Sequence, residues 1–415
     1  MKNIEVTDDY CNLHINGGGK RLLILGAGRG QVGLYKAAHE MGIHTIAGTP
    51  KGRTYPGMAL ADEICWMDIA KPDEALAAAA GLDLDGVATS CMDTGIESLG
   101  KICDALHLRG LTEQAAIFSN DKARMKQAFV KHSVRTPQYF EISTENDLTS
   151  AINMLTLPVV IKATDLQSGN GVFICSTYEE ATVCFNKAMK LTKRPYCIVE
   201  EYVVGKIIGA EAFVCNGEIF FIMPDGDFTH MSNTAVPIGH YVPLDESQEM
   251  LEQIQNTVSA AIRATGLNNC AVNMDLIIRD GIVYVIELTG RAGANGLPEL
   301  VEIHYGIDYW KMIVAMAVGD DPAIYFNKRS SERKAGLSKM LFETAKSGTV
   351  ESIECDCPSD GSVFDITFFK NSGDEVHKFS STNDCIGQVI IQGNSLSDCS
   401  AKLERVISGI TVNVR

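Results

Sequence analysis

Over its first third the chain alternates short apolar runs with amphipathic stretches. RLLILGAG (21–28) reads as a buried strand entering a glycine turn, and VGLYKAAHEMG (32–42) as a helix that a glycine stops. HTIAGT (44–49) and DGVATSC (85–91) continue as strands, with IESLGKICDALHL (96–108) a helix and the periodicity of 112–134 predicting further helix. Strands separated by helices predict a parallel, doubly wound sheet up to about residue 115. A smaller unit follows over 136–202, where LPVVIKA and VFICS flank the loop DLQSGNG, YEEATVCFNKAMKL is a helix, and PYCIVEEYV is a returning strand. From residue 203 the texture becomes antiparallel. AEAFVCNGEIFFIM turns at Asn216 and Gly217, AVNMDLIIRDGIVYVIELT turns at Asp280 and Gly281, and the helix of 247–266 lies between them. After residue 331 a mixed α/β tail carries strands such as VFDITFF and QVIIQG.

Composition sharpens this picture in three respects. The 415 residues, 46% hydrophobic and 21% charged, are ample for a multidomain globular protein. A formal net charge of -16 argues against nucleic acid or an anionic membrane as the main partner. No apolar run reaches membrane-spanning length, and the first twenty residues lack the pattern of a targeting segment. The 13 cysteines are scattered and include no CxxC pair, which predicts reduced thiols and a cytoplasmic setting; the CxC of Cys355 and Cys357 has no obvious companion ligands.

Several short stretches carry chemistry. GAGRGQVG (26–33) has glycines that could admit a pyrophosphate, but the following strand ends AGTP, without the acid an NAD ribose needs, so a structural turn is favoured. KATDLQSGNGV (162–172) places a lysine at a strand end before a polar glycine loop, which suits polyphosphate as well as it suits an ordinary hairpin. Asp275 and Glu287 are acids among apolar strand residues, where an unpaired charge is expensive. A three-residue 279–281 turn with a bulge would put both on one face, where a magnesium ion would relieve their repulsion; a two-residue turn would separate them. Arg291 would then direct a planar, permanently charged fork at whatever the metal presents, although a surface salt bridge is the commoner fate of an arginine. EEYV (200–203) could read an adenine amino group, and Lys122 alone would pass as a solvated lysine on a helix face.

Taken in order, these motifs resemble the ATP-grasp superfamily of carboxylate–amine ligases, from about residue 21 to 320, with a looser likeness of the tail to L-amino acid ligases and biotin carboxylase. The resemblance implies an α/β and α+β fold: a Rossmann-like N-terminal domain (1–115), linking helices with a small lobe (116–202), a large lobe with the metal site (203–330) and a mixed α/β C-terminal subdomain (331–415). It assigns the ATP phosphates to Lys122, Lys162 and the loop with Ser168, Gly169, Asn170 and Gly171, and adenine to Glu200, Glu201 and Val203. It gives magnesium, or manganese in its place, to Asp275 and Glu287, and the acyl-phosphate charge to Arg291. His240 in PIGHYVP, Asn295 and Asp93 fall where the carboxylate and amine substrates would bind. Two departures stand out. Thr289 replaces the asparagine of the family's E-x-N-x-R, and the ribose acid is displaced from its usual place, leaving Glu211 to serve. The expected activity is amide formation through an acyl phosphate, releasing ADP and phosphate, on amino-acid or small-peptide substrates, with a homodimer among the options. The alternatives are an ATP-binding regulatory protein without turnover and an NAD-dependent oxidoreductase.

Overall fold

The computed structural model describes residues 19–167, 169–231, 235–343, 347–357, 361 and 363–415. Four parallel strands, β1 (Arg21–Leu25), β2 (His44–Thr49), β3 (Glu63–Trp66) and β4 (Gly86–Ala88), form the first sheet in the order β3-β2-β1-β4. Helices cover both faces, so β1 is apolar at consecutive positions. Leu23 and Leu25 join one core, and Leu22 and Ile24 join the other. The order is that of a doubly wound domain, as the sequence implied.

The glycine turn before the Val32–Glu40 helix is closed by its own chain. The Gln31 carboxamide accepts from Gly28 N at 2.9 Å and donates to Ser90 O at 2.5 Å. The amide that a dinucleotide phosphate would seek there is thus already partnered. Gly33 lets the helix approach Trp310, because a Cβ there would lie 2.2 Å from the indole.

The helical stretch of 112–134 is interrupted. Asp121 leaves the helical conformation, and its carboxylate caps the next helix by accepting from Ala123 N and Arg124 N. Lys122 is therefore the first residue of the Lys122–Lys131 helix rather than a mid-helix lysine. The small lobe is an antiparallel sheet of β5 (Tyr139–Ile142), β6 (Val159–Ala163), β7 (Val172–Cys175) and β8 (Cys197–Glu201) in the order β5-β8-β6-β7. The helices Glu145–Met154 and Tyr178–Leu191 give it a separate core around Leu148, Ile161 and Phe185.

The largest sheet contains β9 (Lys206–Cys215), β10 (Glu218–Met231), β11 (Ala235–Val242), β12 (Cys270–Arg279), β13 (Ile282–Thr289), β14 (Ala335–Leu341), β16 (Val363–Phe368) and β18 (Gly387–Gly393). Its order is β13-β12-β9-β10-β11-β14-β18-β16. The sheet runs straight past residue 331, and the join between β11 and β14 consists of Tyr241 opposite Leu337 and Val242 opposite Gly336. A three-stranded sheet of β15 (Gly348–Cys355), β17 (Glu375–Val376) and β19 (Ile410–Val414) completes the tail. Cys355 and Cys357 are disulfide-bonded, which departs from the expectation of reduced thiols. Among the described residues no helix is long and apolar enough to cross a membrane.

The Trp310 contact makes a specific prediction. Gly33→Ala should cost about 1–3 kcal/mol by overpacking, seen as a lower urea midpoint, while nucleotide affinity stays unchanged.

Candidate active site

Strands β9 to β13 turn one face to the helix Gln248–Thr265. On that side Ile208, Ala210, Met274 and Leu276 share a core with Ile254 and Val258. The alternate residues point the other way, where Phe213, Phe221 and Ala271 join the second core and the rows beyond them are mostly polar. Asp225 on β10, Gly209 on β9, Asp275 on β12 and Glu287 on β13 lie in one row across four strands. The next row is Met223, Glu211, Asn273 and Thr289, and Asp227 faces His240 across β10 and β11.

The pairing of Asp275 with Glu287 arises differently from the expectation. The turn has two residues, with Arg279 opposite Ile282 and positive φ at Asp280 (53°) and Gly281 (74°), as in a primed hairpin turn. Such a turn alone would place the acids on opposite faces. A bulge between Leu276 and Asp275 inserts Ile286 as an extra residue on β13 and restores the register, so that Asp275 pairs directly with Glu287.

Cations converge on this face from three elements. Lys122 Nζ lies 3.1 Å from Glu287 Oε2 and donates to Leu166 O at 2.8 Å. Lys162, ending β6, forms an ion pair with Glu200, which also takes Lys126 Nζ at 2.7 Å. Arg291 Nε lies 2.6 Å from Asp93 Oδ1, the atom that also accepts from the Thr289 hydroxyl at 2.9 Å. Burial opposes ionisation of Asp93 and Glu287. It is outweighed by Arg291 at Asp93 and by Lys122 and Lys162 at Glu287, so both carboxyls sit below their ordinary values. Asp275 has no such partner. The enclosing protein, and after it Glu287, pushes its carboxyl up to about 8, although the cavity leaves the side chain open to water. Two facing carboxylates with hard oxygens, one of them uncompensated, fit a magnesium ion.

Other expected residues fall less simply. Glu200 is buried, and its carboxylate is committed to the two lysines, so it positions Lys162 rather than presenting itself to adenine. Lys126 was not foreseen, although its i,i+4 spacing from Lys122 places both on one helix face. Glu201 binds Arg279 at 2.5 Å and borders the cavity with Val203, Ile207 and Ile277, which form an apolar slot. Glu211 does not reach that slot. It is fully buried and accepts from Gly293 N at 2.9 Å, so the ribose role expected of it is not supported by its position. In the loop between β6 and β7 Gly169 and Gly171 have positive φ, and the Asn170 amide donates to Gln167 O. Ser168 lies outside the described residues. Gln167 reaches across to the first domain, accepting from Asp93 N at 2.7 Å and donating to Thr94 Oγ1 at 2.9 Å. His240 and Asn295 are tied together by Ser338, whose Oγ accepts from His240 N at 3.0 Å and donates to Asn295 O at 2.7 Å.

Many of these residues border one cavity of about 1770 Å³, while Lys122 and Thr289 border a second of about 460 Å³ that shares Asp93, Asp275, Glu287 and Arg291 with it. The first exceeds the roughly 300–1,000 Å³ of an ordinary small-ligand pocket. Beyond the nucleotide slot it extends past Arg291 and Asn295 to a limb walled by Arg29, Glu299, Asp365 and Gln388. Burial pushes the Glu299 carboxyl up to about 7.

Comparison with known proteins agrees with this geometry. Residues 120–293 match the model of the phosphoribosylglycinamide synthetase ATP-grasp (A) domain, and residues 341–415 match L-amino acid ligase C-terminal domain 2. The crystal structure of phosphoribosylglycinamide synthetase from Anaerococcus prevotii is 52% identical, with a TM-score of 0.84, and the match covers 96% of this chain and 100% of that one. The L-amino acid ligase from Bacillus licheniformis shares the fold at 17% identity, with a TM-score of 0.82 over 96% of this chain and 99% of the other. Alanine–anticapsin ligase of Bacillus subtilis is 25% identical over 61% of this chain and 59% of its own length, so the chain spans little more than half of that curated relative. The chain belongs to the ATP-grasp ligases.

The buried Lys126–Glu200–Lys162 cluster is testable. Lys126→Met should cost about 3 kcal/mol by removing one partner of a buried pair and should weaken ATP binding through Lys162. The double variant Lys126→Met/Glu200→Gln should recover part of the urea midpoint.

Proposed function

We propose that the protein is an ATP-dependent carboxylate–amine ligase that forms an amide through an acyl phosphate and releases ADP and phosphate. The observation that carries this is the Asp275–Glu287 pair, with Lys122, Lys162 and Arg291 converging on the same sheet face. The names of the relatives, alanine–anticapsin ligase, L-amino acid ligase and phosphoribosylglycinamide synthetase, support amino-acid or small-peptide substrates.

ATP would lie with its adenine in the slot of Val203, Ile207 and Ile277, and its phosphates between Lys122, Lys162 and the 165–171 loop. Asp275 and Glu287 would hold magnesium, or manganese in its place, which neutralises phosphate charge and polarises the transferred group. The substrate carboxylate attacks the γ-phosphorus, and ADP leaves. Arg291, fixed by Asp93, stabilises charge on the phosphoryl and acyl oxygens. Gln167 holds the loop against the first domain, which keeps water from the acyl phosphate. The amine then attacks the acyl carbon and phosphate departs. An incoming ammonium must lose protons, and Glu299, with proton affinity near neutrality, is suited to take one.

With magnesium-ATP, a panel of amino acids and hydroxylamine as trap, ADP, phosphate and a hydroxamate should appear only with particular carboxylates. AMP and pyrophosphate would instead mean adenylation and would overturn the acyl-phosphate route. Glu287→Gln should lower turnover to background, and Arg291→Met should lower kcat by about 10²–10³. Glu299→Gln should slow amide formation with amino-acid amines yet spare hydroxamate formation, because hydroxylamine is already uncharged at neutral pH.

A further inference from the structure

Next to the proposed nucleotide site, the same sheet face carries two carboxylates that the proposed ligase chemistry leaves unused, and they stand beside His240. Asp225 and Asp227 are two residues apart on β10, on one face, and His240 faces Asp227 from β11. One ligand atom from each lies within 4.8 Å of the others. Asp225 is wholly buried, and neither of its oxygens has a hydrogen-bond partner. Its carboxylate lies over Gly209, where a Cβ would come within 2.5 Å of Oδ1. The nearest cation is His240 Nδ1, at 3.5 Å, which stands closer to Asp227 Oδ1 at 2.6 Å.

The charges around this point do not balance. Among the carboxylates of the face, Glu287 is served by Lys122 and Asp227 by His240. Asp275, Asp225 and Glu211 remain, and among the described residues both Asp225 and Glu211 have a buried oxygen that meets no donor. A fully buried carboxylate without partners is expensive unless a proton or a metal ion joins it.

We propose that Asp225, Asp227 and His240 form a second metal site, for a divalent transition-metal ion such as zinc, separate from the magnesium carried by ATP. One imidazole nitrogen and two carboxylates are a common zinc donor set, and three protein ligands leave a fourth position open. Bond lengths of roughly 2.0–2.2 Å in a tetrahedral site put ligand atoms about 3.4 Å apart. The His240–Asp225 separation already has that spacing. The Asp227–His240 distance of 2.6 Å must open by less than about 1 Å as the ion replaces the Nδ1 proton. Asp227 and His240 both border the cavity, so the open position would face it, where a substrate carboxylate or a water could reach.

The full chain, stripped with chelator and free of nucleotide, is titrated with zinc alone and separately with cobalt(II). One equivalent of zinc should be retained through gel filtration, and cobalt should show tetrahedral d–d absorption without thiolate charge-transfer bands. Asp225→Asn and Asp227→Asn should each weaken zinc binding by about tenfold or more. Asp275→Asn should leave it unchanged. No retained zinc, thiolate bands from cobalt, or loss of zinc in Asp275→Asn would each overturn the proposal. The cobalt spectrum of the unmodified chain decides the matter even if a variant fails to fold. No arm depends on turnover, so failure here leaves the ligase reading intact and the reverse also holds.

Discussion

A sheet face can carry carboxylates side by side only if cations lie over it, and most of this molecule is arranged around that requirement. Asp225, Asp275 and Glu287 share a row, with Gly209 between the first two. Without counter-charge, neighbouring carboxylates shift toward protonation or force the strands apart. The counter-charges come from elsewhere in the chain: Lys122 from the first turn of a helix, Lys162 from the end of β6, and Arg291 from just beyond β13. Holding the two lobes together over the acids is thus an electrostatic necessity as well as a packing one.

The positively charged groups are themselves restrained by acids set further back. Glu200 lies between Lys126 and Lys162, and Asp93 holds Arg291 and Thr289. Such buried pairs contribute little net stability, because desolvation offsets most of the attraction. Their effect is to fix direction. A guanidinium held through its Nε at Asp93, and through one terminal nitrogen at Asn273 Oδ1 and Ala292 O, stays in place without having to reorganise when charge develops beside it.

Much of this was legible in the chain. The apolar runs located three of the four strands of the first sheet, while the short, half-buried β3 went unread, and Asn216-Gly217 and Asp280-Gly281 marked both hairpins, because positive φ at successive positions needs such residues. Asp275 and Glu287 were legible as expensive charges in apolar strands. The bulge at Ile286 was not, since an inserted residue leaves no compositional trace and shows only in the register. Glu200 and Glu211 have partners that the pattern did not reveal, for a shared reason. Alternation gives the face a side chain occupies, but not whether it ends in the cavity or in a buried pair beneath it. Asp225 and Asp227 carried the period-two signal of a polar strand face, and Ser338 became meaningful only once β14 was seen beside β11.

That junction between β11 and β14 has a consequence of its own. Among the described residues the strand ladder that joins β9–β13 to the strands of the C-terminal region has two residue pairs, at Tyr241 and Val242. Immediately beside them, Ser338 fastens His240 to Asn295. A seam so narrow, placed at the substrate end of the cavity, lets the C-terminal strands and loops change without disturbing the rows of β9, β12 and β13. In the proposed ligase, the groups assigned to phosphoryl transfer therefore lie on one side of this seam, and those assigned to the choice of substrate lie at the seam itself.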